Sequence, residues 1–209
     1  MRLKSAIFDM DGTLLDSMGM WHESGNNFVR SQGFEPRENI WEDVRPLTLL
    51  DEARYYQKAY SLPLTAEEIA YIITEQVKEF YRNRAKAKPG VKKFLSLLRL
   101  EGVQMYVATG TERSLTEAGL HCAGIDGFFK GIITCDEAGA GKDKSAVIFE
   151  RAMNRLGSNL PDTVVFEDSL PAIRTAKAAG FRIAGVYDPM WEDHQEEIRA
   201  LSEYQEYVP

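Results

Sequence analysis

The sequence predicts an α/β protein: a doubly wound parallel sheet with a small all-helical domain inserted directly after the first strand. Three observations predict this. Five short apolar runs rich in β-branched or aromatic residues, Ala6–Met10, Val103–Ala108, Ile132–Thr134, Val164–Phe166 and Ile183–Tyr187, suit strands buried on both faces. Segments of helical periodicity separate the later runs. From about Asp16 to Lys88 there is no strand pattern but several helical ones.

Taken in order, the first strand ends in Asp9-Met10-Asp11-Gly12-Thr13, and the helical stretch follows. Pro36, Pro46 and Pro63 divide that stretch into about four helices. Its clearest stripe is Ile69, Ile72, Ile73, Val77 and Phe80, opened by a capping box at Thr65-x-x-Glu68 and read as the insert's own core. Lys88-Pro89-Gly90 marks the return, so the expected domains are 1–15 with 88–209 and, between them, 16–87. Beyond it, Phe94, Leu95, Leu97 and Leu98 enrich one helix, and Ile148, Phe149, Ala152, Met153 and Leu156 line another. Gly102, Gly124, Gly157 and Gly180 stand where left-handed caps end helices, and Ser114-x-x-Glu117 has capping-box spacing.

Composition narrows the function. At roughly 150 residues per domain, 209 residues make one full domain with an insert. The 44% hydrophobic and 27% charged content is that of an ordinary globular chain. A net charge of −7, with no Lys/Arg stripe, lacks the footprint of a nucleic-acid binder. Cys122 and Cys135 cannot build a disulfide framework or a four-cysteine zinc site. No apolar run approaches the roughly 20 residues of a membrane span. The opening Met1-Arg2-Leu3-Lys4 reaches Asp9 and Asp11 before a signal-peptide core could form, so the expected location is cytoplasmic.

In open α/β sheets, ligands bind beyond the carboxyl ends of the strands. Those ends carry Asp9 and Asp11, then Thr109-Gly110-Thr111, then Glu167-Asp168-Ser169. Carboxylates gathered there would repel one another unless a cation sat between them, and hard oxygen ligands suit Mg2+ shared with a substrate phosphate. Thr109 and the N–H groups around Gly110 could donate to phosphate oxygens, and a lysine in Gly139-Ala140-Gly141-Lys142-Asp143-Lys144 could neutralise the remaining charge. Gly141-Lys142 is not a nucleotide P-loop, because Asp136 and Asp143 stand where Gly and Ser or Thr are needed.

These segments resemble the signatures of the haloacid dehalogenase-like (HAD) superfamily. Phe8 to Ser17 resembles the first, Val107 to Thr111 the second, and Val165 to Ser169, with Ala176, Ala179 and Gly180 downstream, the fourth. The insert resembles the C1-type helical cap of the phosphoglucomutase/phosphatase-like branch. The resemblance implies a Rossmann-like core and a phosphatase working through an aspartyl-phosphate. Asp9 is then the nucleophile and Asp11 the general acid and base. The implied Mg2+ ligands are Asp9, Asp11 through its backbone carbonyl, and Asp168, with Glu167 in support. Thr109 and Gly110 are implied to cradle the phosphoryl group.

The lysine is open between two positions. Counting forward from Glu137-Ala138-Gly139 favours Lys142, whereas counting back from Phe149 leaves Lys144, which could also contact substrate.

The expected partner is a small phosphorylated metabolite, with no nucleic acid and no membrane, and a monomer is the default. Two other readings remain. Sugar phosphomutases of the same branch carry a cap histidine a few residues past the position of Asp16. Here Trp21 holds that slot and His22 stands one residue out of register, about 100° around a helix. The Thr48-Leu49-Leu50-Asp51 stretch also lacks the arginine such enzymes use. A non-catalytic binding protein would have little reason to keep mutually repelling carboxylates. Met18, Trp21, His22 and Arg45 lie where the cap could face the active site, and for each of them packing or solvation is favoured over substrate contact.

Overall fold

The computed structural model describes residues 3–38, 40–44 and 47–204, with Glu42 described by its backbone alone; Arg45 therefore lies outside the described residues. The chain divides into two compact units, Met1–Ser17 with Ala85–Pro209 and Met18–Arg84.

The first unit is the α/β one. Strands β1 (Ser5–Phe8), β2 (Gln104–Thr109), β3 (Ile132–Thr134), β4 (Thr163–Glu167) and β5 (Arg182–Gly185) form a parallel sheet in the order β3-β2-β1-β4-β5. Alternation along the strands serves both faces. Ile7, Ala108, Ile133, Val165 and Ile183 point into a core with Ile148, Phe149, Ala152 and Ile173. Phe8 and Phe166 stack on the opposite face, their ring centroids 4.4 Å apart, and Phe94 meets both edge-on. Doubly wound packing therefore follows from strands whose inner positions are apolar on both faces, as the sequence predicts.

β3 coincides with its expected run, and the ends of the other four strands differ from theirs by one or two residues. After Phe8 the Asp9 N–H still bonds Phe166 O at 3.0 Å, but Met10 O then accepts from both Leu14 and Leu15, which turns the chain out of the sheet. The four glycines expected to end helices all have positive φ, from +63° to +88°. The capping box expected at Ser114 is corrected: Glu112 caps that helix, accepting from the Ser114 N–H at 3.0 Å, while Glu117 pairs with Arg113. Glu112 stands two residues nearer the strand and captures the free N–H first. A capping box does form at Thr134 and Glu137, where β3 runs into the short helix Cys135–Ala138.

The second unit holds four helices among the described residues: α1 (Met18–Ser31), α2 (Ile40–Val44), α3 (Leu49–Ala59) and α4 (Ala66–Asn83). The capping box at Thr65 and Glu68 opens α4, whose Ile69 and Ile73 join Phe28, Val29, Ala53 and Tyr56 in this unit's core. Gly25 on α1 lets α3 approach: a Cβ there would lie 1.8 Å from Tyr56 Oη, which is buried and donates to Glu52 Oε1 at 2.8 Å. Gly25→Ala is therefore expected to destabilise the protein. Overpacking of this kind costs about 1–3 kcal/mol, against about 1 kcal/mol gained in helix propensity. A lowered urea midpoint would register it.

Candidate active site

Neighbouring parallel strands bring three chain segments together. Phe8 pairs with Phe166 on one side and Val107 on the other, so Asp9 emerges beside Glu167-Asp168 and beside Thr109. Asp9, Glu167 and Asp168 are all buried, and each offers an oxygen within 4.8 Å of the others.

Lys142 reaches this cluster from the turn after the short helix Cys135–Ala138 that follows β3. Its Nζ lies 2.6 Å from Asp9 Oδ1 and 2.5 Å from Glu167 Oε1, with 12% of the side chain exposed. The ammonium donates to Glu167 Oε1, whereas the buried Asp9 Oδ1 pairs with it by charge without meeting hydrogen-bond geometry. Glu167 is fully engaged, its Oε2 accepting from the Ser169 N–H at 2.9 Å. Asp168 Oδ1 accepts from Thr13 Oγ1 at 2.9 Å.

Burial first, and then the Glu167 charge, push the Asp9 carboxyl up to about 7, with Lys142 pulling the other way. Asp168 is raised well above the usual carboxylate range, again by burial and then by Glu167 and Asp9. Burial would lower the Lys142 ammonium, but the charges of Asp9 and Glu167 outweigh that and hold it above its ordinary value. One lysine thus leaves the cluster short of positive charge. Hard oxygen donors, raised carboxyls and a buried Asp9 oxygen without a hydrogen bond together fit a divalent cation.

Asp11 stands beside the cluster rather than in it. Its Oδ1 accepts from Ser17 Oγ and its Oδ2 from Thr111 Oγ1, both at 2.6 Å. Gly12, at φ +77°, makes the turn that separates Asp11 from Thr13. Thr109 is buried, its Oγ1 accepting from the Thr111 N–H at 3.1 Å, and Gly110 is exposed next to it. Lys144 is exposed, with its N–H on Gly141 O, and is not among the residues brought together. Of the two lysines left open by counting, the turn delivers Lys142.

In the second unit, Trp21 Nε1 donates to Tyr81 Oη at 3.0 Å, and His22 pairs with Glu23 and packs its ring on Trp41. Met18 is half-buried at the start of α1. Sequence reasoning missed Thr13, Ser17 and Thr111 as hydrogen-bond partners of the site carboxylates. The hydroxyls lie inside the quoted motifs, which was a usable signal.

Comparison with known proteins gives the family and the fold. The family model for haloacid dehalogenase-like hydrolases matches residues 3–180, most of the chain. The chain is 25% identical over 185 residues to a phosphorylated carbohydrates phosphatase of Thermotoga maritima, covering 88% of this chain and 85% of that one. It is 25% identical over 189 residues to hexitol phosphatase A of Escherichia coli, covering 90% and 85%. A Thermotoga maritima crystal structure provisionally named a β-phosphoglucomutase superposes with a TM-score of 0.85 at 23% identity, over 97% of this chain and 93% of that chain, and shares the fold. With its acidic cluster at the ends of β1 and β4 and a family match spanning most of its length, the chain belongs to the haloacid dehalogenase-like hydrolases, and the two curated relatives above are named phosphatases.

Proposed function

We propose that the protein is a Mg2+-dependent phosphomonoester hydrolase acting on a small phosphorylated metabolite, of the sugar phosphate or polyol phosphate class, through an aspartyl-phosphate. The observation that carries this is the buried Lys142 ammonium within 2.6 Å of Asp9 and against Glu167, with Asp168 completing the cluster.

In this reading Asp9 attacks phosphorus in line, and the bond to the leaving alkoxide breaks as Asp11 gives that oxygen a proton. Asp11 then takes a proton from water, whose oxygen attacks the aspartyl-phosphate; inorganic phosphate leaves and the Asp9 carboxylate is restored. The Ser17 and Thr111 hydroxyls hold Asp11 in one orientation for both transfers. Thr109 and the Gly110 N–H steady the phosphoryl oxygens. Lys142 neutralises nucleophile and transferring group together, the electrostatic work on which phosphoryl transfer mostly depends. Mg2+, held by Asp9, Asp168 and the Asp11 carbonyl with Glu167 in support, would supply charge stabilisation to the same oxygens.

Support for hydrolysis over mutation comes from Trp21 and His22, both spent on packing and pairing within the helical unit. The sugar or polyol class follows the names of the relatives, which are phosphatases of phosphorylated carbohydrates and of hexitols. Residues 16–87 keep the substrate-selecting role that likeness to a C1 cap gives them. Free Cys122 and Cys135 suit a reducing, cytoplasmic setting, and among the described residues no helix is long and apolar enough to cross a membrane. We take the working form to be a monomer.

The test is phosphate release from a panel of phosphorylated sugars, polyols and nucleosides, with Mg2+ and with EDTA. Release that requires Mg2+ and ranks sugar or polyol phosphates first is expected. Isomerised product without net phosphate would shift the reading to a mutase, and binding of Mg2+ and phosphosugar without turnover would shift it to a binding protein.

A further inference from the structure

We infer that Lys88 is a positioning residue for the loop that carries Asp11 and Thr13, tying the end of β1 to the segment after β5. Its side chain is 9% exposed, and its ammonium has three N–H donors with three acceptors. Nζ donates to Gly12 O at 2.6 Å, to Tyr187 O at 2.6 Å and to Asp188 Oδ2 at 3.0 Å. The Asp188 side chain is 4% exposed, and its other oxygen accepts from the Met190 N–H at 3.0 Å, so the anchor is itself fixed.

The sheet order explains why this link matters. β4 lies between β1 and β5 and ends in Glu167-Asp168. Lys88 therefore spans the end of the strand that carries the acidic pair, joining loops on either side of it. Gly12, whose carbonyl it holds, is followed by Thr13, whose hydroxyl orients Asp168, and preceded by Asp11. A backbone ladder reinforces the grip: Lys88 N–H donates to Leu14 O at 2.9 Å, and Asp16 N–H to Lys86 O at 3.0 Å. A buried ammonium is costly unless fully paired, and this one spends two of its three bonds on backbone carbonyls, which fixes loops rather than merely cancelling a charge. Removing it frees the Gly12 peptide, and the Thr13–Asp168 and Asp11 geometries loosen with it.

The catalytic consequence rests on the phosphatase reading; the loop-holding does not. Lys88→Met, Asp188→Asn and the double variant separate the two roles. Lys88→Met strands a buried carboxylate and lowers thermal stability, and the double variant removes that unpaired charge. The expected result is that the double variant regains stability but neither Mg2+ affinity nor kcat. Both should stay down by about 10- to 100-fold, the usual loss when support around a metal ligand goes, with KM changed less than about threefold. Hydrogen exchange across residues 9–17 should quicken in Lys88→Met and in the double variant alike. Full recovery of kcat and calorimetric Mg2+ affinity in the double variant would reduce Lys88 to a charge partner and overturn the inference, as would unchanged exchange across 9–17. If the wild type releases no phosphate from any substrate, the phosphatase reading fails alone, and exchange and Mg2+ affinity still decide on Lys88.

Discussion

Replacing Asp9 with asparagine is expected to cut phosphate release by at least about 10⁴-fold while leaving the protein folded, since an amide cannot form the acyl phosphate. Folding should not suffer. The Asp9 carboxyl is pushed up to about 7 by burial and then by the charge of Glu167, so its ionised form is unfavourable there without a cation. An uncharged amide of the same shape removes one negative charge from the cluster of Asp9, Glu167 and Asp168 and leaves Lys142 paired with Glu167. The melting temperature in EDTA should therefore equal or exceed that of the wild type. Phosphate assays at saturating substrate, with thermal melts on the same samples, check both halves. Residual turnover above about 1% of wild type, far more than loss of a nucleophile allows, would move the nucleophile to another residue.

Such contrasts follow the line between what was legible in the sequence and what was not. Strands buried on both faces announce themselves as apolar runs, and each motif residue sits within a few positions of a strand end, so Asp9, Thr109, Glu167 and Asp168 could be placed by local pattern alone. The bonds that orient them are of another kind. Thr13 reaches Asp168, Thr111 reaches Asp11 and Lys88 reaches Asp188 across 155, 100 and 100 positions, distances at which periodicity carries no signal. Counting along the chain favours Lys142 from one side and leaves Lys144 open from the other. They part only because the turn folds back on Gly141 O, which accepts from the Lys144 and Ser145 N–H groups. Ser114 failed as a cap for a similar reason, a competing side chain two residues upstream.

That turn sets up the second large effect. Lys142→Met is expected to lower kcat by about 10²- to 10³-fold, the scale for losing one preorganised charge at the reacting group, whereas Lys144→Met should stay within about twofold. The stability of the Lys142 variant should depend on pH in a defined sense. Asp9 has a folded pKa raised above its unfolded value near 3.8, so the native state binds more protons than the unfolded one, and stability falls as pH rises from about 4 to about 7. Lys142 is what pulls Asp9 down, through its charge and its contact with the carboxylate. Without it the Asp9 pKa climbs further and the falling limb extends to higher pH. At pH 5, where Asp9 is largely protonated in both proteins, the two should unfold at similar urea concentrations once the lost Glu167 contact is allowed for. At pH 8 in EDTA the deficit should widen towards the roughly 3–5 kcal/mol of a broken buried pair. Mg2+ should restore part of it, because a cation bound by the same carboxylates takes over the neutralisation. A deficit independent of both pH and Mg2+ would mean that Lys142 packs against the cluster without setting its charge.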